Sequence, residues 1–186
     1  MMNWNTVFEK EYMKEEGLPE NELQHFLSTW NMQMAGQEIA EIVERQRNPF
    51  PVTDPLHRQY TPFDPSRWTI PQMKLPDSYL QFLRYSNGGE FGNGDRYFQF
   101  FGAAEFREMN LAYELPEYMQ GAVSFGMDGC GNHYVFDMRA DMRDGEYPIL
   151  AAHSGNLGYE DSKKVADSFA ELCIGTTSID DELNEY

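Results

Sequence analysis

The sequence predicts an α+β fold: an antiparallel sheet with helices packed on it and an N-terminal helical extension. Three observations carry that expectation. Apolar residues recur at helical spacing before residue 46, near residues 79–83 and again over 165–173. Short strand-like runs cluster between residues 97 and 151. The later runs are separated by glycine-rich turns, too short for helical crossovers and suited to hairpins.

Trp4, Val7, Phe8 and Tyr12 predict a short amphipathic helix over residues 4–15, broken at Gly17-Leu18-Pro19. Leu23, Phe26, Leu27, Trp30, Met34, Ile39, Ile42 and Val43 mark one face of a longer helix over residues 20–46, weakened at Gly36. Pro49, Pro51, Pro55, Pro62 and Pro65 then exclude any regular helix or central strand. This stretch reads as an extended connector that packs Phe50, Tyr60, Phe63 and Trp68 along the body.

Leu75-Pro76-Asp77-Ser78 opens the next helix, since proline tolerates a first turn, and Tyr79, Leu80, Phe82 and Leu83 supply its apolar face. Asn87-Gly88-Gly89 stops it. A strand over 97–101 and a short helix over 103–111 follow. The runs Ala122–Phe125, His133–Met138 and Tyr147–Ala151 are strand-like, the first two joined by a glycine-rich turn and the third entered through Asp144-Gly145. Asp161 or Ser162 is expected to cap a last helix carrying Val165, Phe169, Leu172 and Cys173, which Gly175 ends. The acidic tail from Thr176 to Tyr186 is expected to fray.

Leu, Ile, Val and Phe together make only 38 of 186 residues, beside a net charge of −17, yet Tyr, Trp and Met add 25 more. The core should therefore be aromatic rather than aliphatic. Residues 121–186 hold 13 acidic and four basic side chains. Such a chain repels phosphate, so neither nucleic acid nor an anionic membrane is an expected partner, whereas a basic protein is. No run of apolar residues is long enough to span a membrane. The N-terminal residues do not resemble an export signal, so Cys130 and Cys173 are expected to be reduced thiols in the cytoplasm.

No pattern of bond-making chemistry emerges. The sequence lacks a phosphate-binding loop, a dinucleotide fingerprint and a Gly-x-Ser-x-Gly elbow. Cys130-Gly131-Asn132-His133 has the spacing of half a zinc site, which His153 and Cys173 could complete, but a plain glycine turn accounts for it as well. Asp137, Asp141 and Asp144 do not fit a calcium loop. No enzyme activity, cofactor or metal is therefore expected.

Leu75-Pro76-Asp77-Ser78-Tyr79-Leu80-Gln81-Phe82-Leu83 followed by Asn87-Gly88-Gly89 resembles the opening signature of the SUKH superfamily, the SMI/KNR-like proteins. The block from Phe125 to Asp137, with Gly126, Asp128, Gly129, Gly131, Asn132 and Asp137, resembles the second signature. The segment around Phe169 is similar to the closing helix. The resemblance implies an α+β domain over 63–175, preceded by a helical extension and proline-rich connector over 1–62 and followed by the tail over 176–186. It also implies a role in binding. Bacterial relatives are commonly immunity proteins that neutralise polymorphic toxins, many of them nucleases or deaminases, and fungal relatives regulate cell-wall synthesis. The leading expectation is an immunity protein that binds a basic toxin domain; the alternative is a regulator or scaffold binding endogenous proteins. The carboxylates near the second hairpin, Asp137, Asp141, Asp144 and Glu146, are the candidate contacts, with Tyr147 as an anchor and Glu160 and Asp161 beside them.

Overall fold

The computed structural model describes residues 2–184. Seven strands form one antiparallel sheet in the order of the chain. They are β1 (Lys10–Lys14), β2 (Gly89–Asn93), β3 (Arg96–Phe100), β4 (Ala122–Met127), β5 (Asn132–Asp137), β6 (Ile149–His153) and β7 (Lys163–Ala166). Helices α1 (Glu20–Thr29), α2 (Gly36–Arg45) and α3 (Asp77–Tyr85) lie between β1 and β2. Helices α4 (Ala103–Ala112) and α5 (Leu115–Tyr118) join β3 to β4, while α6 (Phe169–Ile174) and α7 (Ile179–Asn184) follow β7. The α+β class and the N-terminal helices are borne out.

Alternation along the strands sorts the sheet into two faces. On one, Phe91, Phe98, Phe100, Phe125, Tyr134 and Phe136 are buried beneath α3 and α6. Phe169 of α6 is central: the rings of Trp4, Tyr79, Phe82, Phe100, Phe125 and Phe136 surround it, with centroids between 5.2 and 6.4 Å away. The largest family-like residues are thus core residues. On the opposite face a smaller cluster packs Leu115 and Met119 on Ala122, Val135 and Leu150, with Leu157 and Tyr159 at its margin.

Three expectations fail, the first two because tertiary pairing overrides local periodicity. Residues 4–15 are not a helix. A single 3-10 turn, Trp4–Thr6, turns Trp4 into the core, and β1 then pairs with β2. The expected last helix from Asp161 or Ser162 begins only at Phe169, because Lys163–Ala166 adds to β6 as β7. Ser168, not Asp161 or Ser162, caps it, its hydroxyl accepting from the Glu171 N–H at 3.0 Å. The tail does not fray over 179–184 but forms α7, with Ile179 buried; Glu185 and Tyr186 lie outside the described residues. Two further elements, β2 and α5, were not expected.

The single helix expected over 20–46 is two. Arg107 of α4 accounts for the break: it donates to the carbonyls of Trp30 at 3.0 Å and Met32 at 2.9 Å and pairs with Glu38 at 2.7 Å. Three carbonyl and carboxylate acceptors on one guanidinium hold the intervening chain out of helix. The connector turns twice as 3-10 helix, at Pro55–Gln59 and Pro65–Arg67, and buries Trp68, with Phe63 half-buried.

The turns obey their chemistry. Gly88 and Gly89 adopt φ of +86° and +114°, and a side chain on Gly89 would overlap the Met13 carbonyl oxygen of β1. Asp128 organises the β4–β5 turn, accepting from the N–H groups of Cys130 at 2.8 Å and Asn132 at 2.9 Å and from the Asn132 side chain at 2.6 Å. Asp144 and Gly145 both lie in the left-handed region, as a two-residue hairpin turn requires.

Beneath the smaller cluster runs a buried polar chain. Asn110 brackets Ser124, accepting from its N–H and donating to its carbonyl, each at 2.8 Å. The Ser124 hydroxyl meets His133 Nδ1 at 2.8 Å, and the Tyr113 ring closes over the imidazole with centroids 4.4 Å apart. Desolvation pushes His133 down to about 4, so it is neutral in the folded protein at neutral pH.

Two predictions follow from this packing. Gly89→Ala is expected to cost about 1–3 kcal/mol, because it imposes a strained backbone and displaces β1; urea unfolding monitored by fluorescence measures it, and a change below ~0.5 kcal/mol would contradict the steric argument. For His133, the unfolded chain binds a proton near the ordinary value of 6.5 and the folded one only near 4. Stability is therefore fully present above 6.5 and falls as pH drops toward 4. At pH 5 the loss attributable to this group is about 2 kcal/mol. Unfolding of His133→Gln at pH 7 and pH 5 should show that much less pH dependence than the parent; identical slopes in the two proteins would refute the assignment.

Candidate functional site

A cluster of carboxylates without cations lies where three chain segments meet at one end of β1–β3. After β1 the chain turns back at Glu15–Pro19. It is pinned by the Leu18 N–H to Leu83 O at 2.8 Å, by the Asn87 N–H to Glu16 O at 3.2 Å and by the Glu15 N–H to the Ser86 hydroxyl at 3.1 Å. Asn87 also accepts from the Ala103 N–H at 2.8 Å, tying the end of α3 to the start of α4. These bonds frame an open groove of about 560 Å³ whose lining includes Glu15, Glu16, Glu22, Glu90 and Glu105 and no basic side chain.

Among the described residues none of these five glutamates takes part in an ion pair. Two nearby cations are engaged elsewhere, Arg84 with Glu20 at 3.0 Å and the Lys14 ammonium 3.8 Å above the Tyr85 ring, while the exposed Lys10 stands further along β1, opposite Gly92. The first turns of α1 and α4 reach the groove through Pro19, Glu22, Gly102 and Glu105. Each helix start contributes roughly +0.5 of a charge, so two offset about one of the five carboxylates and the groove stays strongly negative. Glu90 also accepts from Tyr97, and burial together with that bond pushes the Tyr97 phenol up to about 12.

The residues singled out from the sequence lie elsewhere. Asp137 is committed to Arg139, which donates to both carboxylate oxygens at 2.8 and 2.7 Å and holds the carboxyl below the ordinary range. The same guanidinium lies 3.7 Å above the Tyr159 ring, so the loop carrying the exposed Glu160 and Asp161 comes back toward Asp137. Asp141 and Asp144 are exposed on the β5–β6 connection. Glu146 accepts from the Phe169 N–H at 3.2 Å at the start of α6. Tyr147, 1% exposed, belongs to the core beside Phe136, with ring centroids 6.4 Å apart, and does not present a surface anchor.

The motif residues prove structural. Leu75, Pro76, Tyr79, Phe82, Leu83 and Phe169 are buried, and Asn87, Gly88, Gly89, Asp128, Gly129, Gly131 and Asn132 shape turns. Gly126 lies against β3, where a Cβ would sit 2.7 Å from the Gln99 carbonyl oxygen. Cys130 is exposed and Cys173 buried, and no three His, Cys, Asp or Glu side chains converge as a metal site among the described residues. The Ser124–His133 pair resembles a nucleophile and its base only in residue type, since both are fully buried. No helix among the described residues is long and apolar enough to cross a membrane.

The groove escaped the sequence reading because its glutamates come from positions 15–22, 90 and 105. Only the pairing of β1 with β2 brings them together, and the helical spacing of residues 4–12 concealed that strand. No curated protein matches the chain. The family model for the SMI1/KNR4 proteins (SUKH-1) matches residues 70–174, spanning α3 through α6 and including both glycine signatures. The chain belongs to the SMI1/KNR4 (SUKH-1) family.

Proposed function

We propose that this protein is a non-catalytic binding domain that acts as an immunity protein, occupying a basic toxin domain of the nuclease or deaminase type. The observation that carries the reading is the uncompensated carboxylate groove, set on a chain of net charge −17. A toxin that handles nucleic acid presents cations to phosphate, and a rigid negative surface competes for those cations. Family membership supports a binding role, while the fold alone does not choose the partner.

Two levels of electrostatics are involved. The overall charge attracts a basic partner from beyond contact range and sets the association rate. Exposed carboxylates such as Asp141 and Asp144 contribute to this steering, with Glu160 and Asp161 beside them. Groups that become desolvated at the interface govern dissociation instead.

The test is co-expression with a candidate nuclease or deaminase toxin domain, sought first among the neighbouring genes, scoring survival and co-purification. Survival that depends on this chain, with a stable complex, is expected. Equal killing with and without the chain would defeat the immunity reading, and a deletion phenotype in cells lacking any toxin would favour the endogenous regulator. In the complex, Asp141→Lys with Asp144→Lys is expected to slow association about two- to threefold at low salt, with dissociation unchanged. Stopped-flow measurement across ionic strength checks this: an unchanged on-rate would remove the steering role.

A further inference from the structure

The two halves of the outer sheet face are treated differently. Over β4–β6 it is covered by α5 and the 154–162 loop, through Leu115, Met119 and Leu157. Over β1–β3 the register places Glu90 opposite Gln99 and Gly92 opposite Tyr97 on that same face, because their neighbours Phe91 and Phe98 point into the core. Among the described residues the helix and loop of the outer-face cluster do not extend over this half; Gln99 is exposed, Glu90 and Tyr97 are half-buried, and Gly92 is buried beneath Tyr12.

A bulge in β1 equips this bare half with apolar groups. The pairing runs from Glu11 opposite Phe91 directly to Met13 opposite Glu90, which leaves Tyr12 as the extra residue. Met13 therefore shares the face of Glu90, and the Tyr12 ring packs at a tilt against Tyr97 with centroids 5.8 Å apart, so two consecutive side chains stand on one face. They are 57% and 52% exposed, among the most exposed large apolar side chains of the protein. Met13 also lines the acidic groove, so the apolar pair and the carboxylates form one continuous surface.

We infer that the bare face of β1–β3 is the docking surface for a partner segment rich in arginine or lysine. This deepens the immunity reading and rests on it for the partner's identity, not for its chemistry. Tyr12 and Met13 cover the aliphatic stems of the incoming side chains while Glu15, Glu16, Glu22, Glu90 and Glu105 receive their charged ends. Charge complementarity selects this occupant. A second copy of the chain would bring five further carboxylates against the same groove, and an acidic or neutral segment would leave them desolvated and unpaired.

The probe is an oligo-arginine peptide titrated into isotopically labelled full-length protein and followed by amide chemical shifts. Saturable shifts confined to residues 12–22, 89–92 and 97–105 are expected. Tyr12→Ala with Met13→Ala, and Glu15→Lys with Glu22→Lys, should each weaken binding about tenfold or more, while Asp141→Lys with Asp144→Lys changes it less than about threefold. All these positions are exposed, and an unchanged thermal midpoint verifies folding. Shifts centred on 137–146 or 160–161, shifts spread evenly over the surface, or groove variants that bind like the parent would each overturn the assignment. The same variants measured against the co-purified toxin separate the two claims. Peptide mapping to the groove without any toxin partner leaves the surface standing and removes immunity; a toxin complex indifferent to the groove variants does the reverse.

Discussion

The fold depends on filling the space between one sheet face and two short helices with aromatic rings. Helices α3 and α6 have nine and six residues, too short to be stable alone, and neither has a long aliphatic stripe. Phe82 and Phe169 supply what length does not. Their rings reach the same strands and each other, at 5.5 Å, in tilted and edge-on arrangements that favour ring pairs. Helix placement is therefore determined by side-chain volume more than by helix propensity. The cost is rigidity: replacing a hub ring by a smaller group opens a cavity that several neighbours share and none can fill.

This explains why the family signature says so little about activity. Its apolar positions build the hub, its glycines and Asp128 shape turns, and Asn87 joins two helices. The residues available for recognition are those the hub does not need, and they lie on the outer sheet face and the loops. The buried Asn110–Ser124–His133 chain makes the same point from the opposite direction. Asn110 satisfies the backbone N–H and carbonyl of Ser124 inside the sheet, where an unpaired amide costs about 1–3 kcal/mol, and His133 reaches the Ser124 hydroxyl rather than a substrate.

Much of the centre of the fold was legible in the sequence. The α3 start at Leu75-Pro76, the β4–β5 hairpin, the Asp144-Gly145 turn and α4 are all governed by local chemistry, and they stand where the residues place them. The edges of the sheet were not legible. Both β1 and β7 are short, lysine-bearing edge strands, β1 exposed along its length and β7 at its two lysines, whose existence depends on a neighbour's free hydrogen-bonding edge. Their apolar spacing mimics a helix because one flank of each runs into a helix or turn. The candidate site inherits this difficulty. Four of the seven carboxylate and tyrosine positions chosen by charge density, Asp141, Asp144, Glu160 and Asp161, are exposed, whereas Asp137 is neutralised and Tyr147 buried. Charge density along a chain does not reveal which carboxylates a fold leaves without cations.

The pairing of β3 with β4 rests on two residue pairs, Gln99 with Met127 and Phe100 with Gly126, beside a bulge. On the bare side of that narrow seam, the apolar pair and three of the five glutamates of the proposed docking face come from the first 22 residues, ahead of the stretch that defines the family, and Glu90, Tyr97, Gln99 and Glu105 from within it. Within that leading segment the exposed positions of the proposed docking face interleave with core positions, since Trp4 and Leu18 belong to the hydrophobic core. Exchanging the exposed residues 12, 13, 15, 16 and 22 alters none of the rings around Phe169, so if the proposed face is the one that meets a partner, the same scaffold is open to retargeting at those five positions while Trp4, Leu18 and the remainder stay as they are.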